Sequence, residues 1–149
     1  MTMCDRNVWV CDSFEGLPPP SGEYPADAAS AFHDDSELAV SLDQVRANFE
    51  SYGLLDDQVR FAKGWFRDTM PLIDVGEIAV LRLDGDMYES TIDPLNYLYD
   101  RAVSGGWIVV DDYRLLDCCQ AAVHDFASSR GFEPDLVSID HVGVYWRKA

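Results

Sequence analysis

The chain has 149 residues, enough for one domain, and 48% of them are hydrophobic, which supports a buried core and excludes a disordered tract. It carries 27 acidic against 11 basic side chains, a net charge of −16. Such a surface repels phosphate backbones and anionic bilayers, so nucleic acid and membrane are excluded as partners, and no apolar run is long enough to span a bilayer.

"NVWVCD", Asn7 to Asp12, is short, β-rich and ends in an acid, which predicts a strand. Ser13 to Asp35 is rich in Gly, Pro and Asp without a period and reads as a long loop, of the lid or binding type or else disordered. Ser41 with Gln44 has capping-box form, and Leu42, Val45, Phe49 and Tyr52 follow at helical spacing until Gly53. Gln58 to Ala62 alternates like a strand, and "KGWFRDTMP" follows as a loop. Ile78 to Leu83 predicts the next strand. Ser90 or Thr91 can cap a helix with Pro94 in its first turn and an apolar stripe of Leu95, Leu98, Tyr99 and Ala102.

After Gly105-Gly106, "WIVV" suits a strand buried on both faces, which makes Trp107 a core residue, and it runs into Asp111-Asp112. A helix over about Leu116 to Arg130 buries Cys119, Ala122, Val123, Phe126 and Ala127. "DLVSID" and "VGVYWRK" close the chain as a hairpin, with about two residues, His141 and Val142, between the strands. This alternation predicts one α/β domain over 1–149, with a mostly parallel sheet and helices on both faces. Right-handed crossovers put the strand C-termini on one edge, where open α/β sheets bind ligands.

That edge collects carboxylates. Asp12 ends the first strand, Asp84 and Asp86 the third, and Asp111 and Asp112 the fourth. Like charges so close need a positive partner. Asp84, Asp111 and Asp112, separated by about one crossover, form a candidate set for a hard divalent cation, Mg²⁺ first and Mn²⁺ or Ca²⁺ after it. No Cys/His grouping favours zinc. The bland alternative is that these acids cap the helices that follow them. Asp12 matches the acid that binds ribose hydroxyls in nucleotide-binding sheets. His33, His124 and His141 read as a solvated loop residue, a surface residue and a turn residue. Tyr88 and Tyr113 follow the acidic motifs and could face a substrate. The four cysteines lack CxxC spacing and no apolar leader opens the chain, which predicts reduced thiols in the cytoplasm.

"VWVCDSFEGLPPP", "VRANFESYGLLDDQVRFAKGWFRDTMP", "LRLDGDMYEST" and "GGWIVVDDY" resemble the macrocin O-methyltransferase family, and the resemblance runs from about Asn7 to Lys148. It implies a Rossmann-like class I methyltransferase fold and S-adenosylmethionine as methyl donor. It implies a sugar or phenol hydroxyl of a secondary metabolite, such as a macrolide or aminocoumarin antibiotic, as acceptor. Carried onto this sequence, it makes Asp84, Asp111 and Asp112 the Mg²⁺ ligands and Asp86 the candidate general base. It makes Asp12, Ser13, Gly64, Trp65 and Asp84 the residues of the cofactor site, with Lys63 beside the adenine.

The resemblance also exposes a departure. A class I methyltransferase begins its cofactor site with a first strand and a glycine-rich turn, and residues 1–6, "MTMCDR", are too short to hold them. The missing strand would be central, and its loss predicts unpaired edges and a chain that alone is unstable, inactive, or completed by an oligomer or another polypeptide. Two other readings stay open: a Mg²⁺-dependent phosphoryl-transfer enzyme of the haloacid dehalogenase type, and a non-catalytic methyltransferase remnant. Against the first, no lysine lies between Asp86 and Asp111.

Overall fold

The computed structural model describes residues 5–149. Cys4 and most of the stretch expected to hold no strand lie outside the described residues. The chain is mixed α/β and groups into two compact units: residues 1–19 with 31–69, and residues 20–30 with 70–149. Its strands form two sheets, β1-β2 and β3-β4-β6-β5, where the sequence predicts one.

In the first unit β1 (Val8–Asp12) pairs in parallel with β2 (Val59–Lys63), with Asp12 opposite Lys63 at the C-terminal ends. A parallel pair needs a crossover, and α1 (Leu42–Ser51) lies within it. Ser41 caps α1 as expected, its side chain accepting from Gln44 N–H. Phe49 meets Phe61 edge-on at 5.8 Å, Phe14 approaches the same ring from β1's end, and Arg46 lies over it. Tyr52, expected on the apolar stripe, is 78% exposed, because the helix ends at Ser51. After β2 a short helix, α2 (Phe66–Thr69), stands where the sequence suggests only loop.

In the second unit β3 (Ile78–Leu83) is parallel to β4 (Ala102–Val110), and β6 (Val144–Arg147) is antiparallel to both β4 and β5 (Val137–Ser138). Leu81, Leu83, Ile108, Val110, Val144 and Trp146 are buried, together with Leu95, Leu98, Ala122, Val123 and Phe126 of α3 (Tyr88–Leu98) and α4 (Asp117–Ser129). Each such aliphatic side chain contributes roughly 1.5–3 kcal/mol. The α4 stripe matches the expected one.

Four expectations need correction here. Helix α3 begins at Tyr88, so Ser90 and Thr91 are buried inside its first turn and do not cap it. Ala102 starts β4 rather than ending a helix. Trp107 is 38% exposed, packed edge-on to Tyr145 under the Arg147 guanidinium, since strand alternation turns it away from buried Ile108. The terminal hairpin is present but its connection spans 139–143, closed by the Asp140 carboxylate, which accepts from Val142 N–H and Gly143 N–H at 2.8 Å each.

Candidate functional site

In the first unit the chain leaves β1 through a tight turn. Asp12 Oδ1 accepts from Phe14 N–H at 2.5 Å, Ser13 Oγ accepts from Glu15 N–H at 3.0 Å, and the Ser13 hydroxyl donates to Gly16 O at 2.7 Å. Phe14 (φ 57°) holds a left-handed conformation within this turn and is 5% exposed. Asp12 itself stays exposed. Gly64 N–H donates to Asp12 O at 3.0 Å, which ties the end of β2 to the end of β1. Four of the five expected cofactor residues, Asp12, Ser13, Gly64 and Trp65, thus occupy adjacent strand ends. Gly64 has φ 142°, and a Cβ there would stand 2.7 Å from Thr69 Cγ2, so only glycine makes the turn into α2. Burial, then the Asp12 charge, pushes the neighbouring Cys11 thiol up to about 11, which keeps it protonated.

In the second unit Asp84 directly follows β3 and Asp111 directly follows β4, with Asp111 N–H donating to Leu83 O at 3.0 Å. Arg82 sits two residues before Asp84 on the same face of β3. Its Nη2 pairs with Asp84 Oδ2 at 2.9 Å and also with Asp111 Oδ2. Two expected metal ligands therefore converge on one positive nitrogen. The third, Asp112, turns elsewhere: its Oδ2 accepts from Asp86 N–H at 3.2 Å. Among the described residues no group of three His, Cys, Asp or Glu side chains is assembled to hold a metal. The donor set is nonetheless all carboxylate oxygen, the chemistry a hard cation takes.

Asp86 occupies a left-handed conformation, φ 59°, between Gly85 and Met87. Burial, then the Asp84 charge, raises its carboxyl above the usual range. Asp112 rises to about 6, first through burial and then through Asp86, with Asp84 and Asp111 adding smaller contributions. The cluster thus holds more negative charge than its single arginine neutralises.

Helix α3 follows directly, and its N-terminus is capped from far away in sequence. The Asp27 carboxylate accepts from Tyr88 N–H at 2.7 Å and Glu89 N–H at 2.9 Å, and Asp27 is 1% exposed. Sequence reasoning missed both Asp27 and Arg82. Arg82 had a signal in its alternation with Asp84. Asp27 had none, being one of two acids in the loop stretch "EYPADAAS". Nearby, Tyr24 Oη donates to Asp93 and Tyr88 Oη donates to Asp125, with the two rings 5.4 Å apart. Burial, then those carboxylates, holds each phenol at about 12. Tyr113 is buried, its Oη 2.8 Å from Nε2 of exposed His124. His33 lies exposed in the long loop, 3.5 Å from Asp34, and His141 is exposed in the hairpin connection.

Solved structures that this chain resembles include methyltransferases. The chain superposes on the O-methyltransferase NovP with a TM-score of 0.94 at 46% identity, over 98% of this chain and 61% of that one. It is 51% identical over 144 residues to 8-demethyl-8-(2,3-dimethoxy-alpha-L-rhamnosyl)-tetracenomycin-C 4'-O-methyltransferase of Streptomyces olivaceus, covering 95% of this chain and 55% of the relative. It is 47% identical over 146 residues to demethyldecarbamoylnovobiocin O-methyltransferase of Streptomyces niveus, covering 97% of this chain and 56% of the relative. The chain thus spans a little over half the length of these relatives. The sequence profile of the macrocin-O-methyltransferase family matches residues 1–148, and the chain belongs to that family.

Proposed function

We propose that this protein is an S-adenosylmethionine-dependent O-methyltransferase that acts on a sugar or phenol hydroxyl of a secondary metabolite with help from Mg²⁺. The observation that carries the reading is the meeting of Asp84 and Asp111 on one cationic centre, beside Asp86 and Asp112, at the ends of β3 and β4. The family and the relatives' names supply the class of reaction.

Asp84, Asp111 and Asp112 would hold the metal. Bound there, a hard divalent cation orients an acceptor hydroxyl and lowers its pKa. Asp86 is the group suited to take the hydroxyl proton, since its raised pKa brings it closer to the working range of a general base. Its left-handed backbone costs on the order of 1–3 kcal/mol, strain of a kind that gathers at functional sites. In the other unit, Oδ1 of Asp12 is engaged by its own turn, so Oδ2 would accept from the donor's ribose hydroxyls. Ser13 holds that turn in shape. Gly64 and Trp65 would border the adenine, where glycine lets the backbone come close.

The test is methyl transfer by the 149-residue chain with S-adenosylmethionine, Mg²⁺ and the demethyl acceptors named for its relatives, read as S-adenosylhomocysteine and methylated product by mass spectrometry. Product that disappears with EDTA and returns with Mg²⁺ supports the reading. A chain that binds S-adenosylhomocysteine in calorimetry yet forms no product with or without Mg²⁺ overturns it.

A further inference from the structure

Among the described residues, Arg82 pairs its side chain with two of the proposed metal ligands, and nothing in the reaction assigns it a role. Its Nη2 bridges Asp84 Oδ2 and Asp111 Oδ2, although the side chain is 58% exposed and could extend into solvent instead. It contacts the two carboxylates that would hold a cation. The geometry points to Arg82 as a built-in competitor for the metal position: its guanidinium holds the carboxylates together in the metal-free protein and must give them up, or share them, when the ion enters. This inference rests on the metal reading above.

The direction follows from linkage. An interaction made only in the metal-free state stabilises that state and weakens metal binding by the same factor. If the guanidinium stays nearby after the ion enters, its charge repels the ion and the direction is the same. Removing the positive charge therefore tightens metal binding. Two partly exposed ion pairs are each modest, so the gain should be about threefold to tenfold. It should shrink as salt screens the partly exposed pairs.

The experiment is a Mn²⁺ titration of the full chain, read from loss of the free-ion paramagnetic resonance signal, with Mg²⁺ as competitor. Arg82→Gln should bind Mn²⁺ about threefold to tenfold tighter than the unmodified chain, and Arg82→Lys, which keeps the charge, should stay near it. Far-UV circular dichroism checks the fold, and Arg82→Met, which keeps the aliphatic stem, replaces Arg82→Gln if that variant does not fold. Unchanged or weaker Mn²⁺ binding in the neutral variants, beside measurable binding in the unmodified chain, overturns the role of Arg82 and leaves the metal reading standing. No Mn²⁺ binding by any form overturns the metal reading and this inference with it.

Discussion

Replacing Asp27 by alanine removes the acceptor of two backbone N–H groups at the start of α3. Loss of an N-cap alone costs about 0.5–2 kcal/mol. Here the residue is 1% exposed, so the freed Tyr88 and Glu89 amides face protein before water. A buried orphan donor costs about 1–3 kcal/mol when no water replaces its partner. The negative charge at the helix N-terminus contributes a few tenths more. With water partly relieving the amides, Asp27→Ala should lose about 2–4 kcal/mol. Asp27→Asn keeps one oxygen acceptor and should lose roughly half of that. Urea unfolding followed by circular dichroism gives the loss as a fall in midpoint at constant slope. Amide hydrogen exchange gives the locus: Tyr88 and Glu89 should exchange faster in Asp27→Ala than any other amides of α3. A loss under about 0.5 kcal/mol, the size expected of an ordinary surface change, would refute the view that the long loop is pinned through this carboxylate.

Three further outcomes test the site. Asp86→Asn should lower the methyl-transfer rate by about 10²–10⁴-fold with little change in stability, measured by single-turnover product formation. Asp112 has a folded-state carboxyl raised from 3.8 to about 6, so the folded protein favours its protonated form. Its contribution is fully present below the unfolded value and is lost as pH rises through the folded one. Stability measured without metal should therefore fall between about pH 4 and 6 relative to Asp112→Asn, and Mg²⁺ should abolish the difference. Gly64→Ala forces a Cβ against Thr69 Cγ2 at φ 142° and should cost about 1–3 kcal/mol in thermal unfolding; the pairing of Gly64→Ala with Thr69→Ser should recover part of it.

The parts of this fold that the sequence makes legible are those written in a local code. Ser41 before Leu42 announces α1, the 3.6-residue stripe from Cys119 to Ala127 announces α4, and β-branched runs ending in Asp12, Leu83 and Asp111 announce three strands. The acids at the ends of β3 and β4 were legible for the same reason, since one crossover fixes which strand ends become neighbours. What was not legible depends on partners distant in sequence. Helix α3 begins earlier than its own Ser90 and Thr91 suggest because Asp27, 61 positions before Tyr88, supplies the cap that local residues would otherwise provide. Once that carboxylate satisfies the first amides, Ser90 and Thr91 are released from capping and can be buried, with Thr91 Oγ1 donating to Met87 O instead. Gly85 then becomes necessary, because a Cβ there would stand 2.7 Å from Ser90 Cβ. The early start of α3 thus determines the turn that carries Asp86 with positive φ. A cap donated from the long loop, together with Gly85 within "LRLDGDMYES", sets where the proposed base sits.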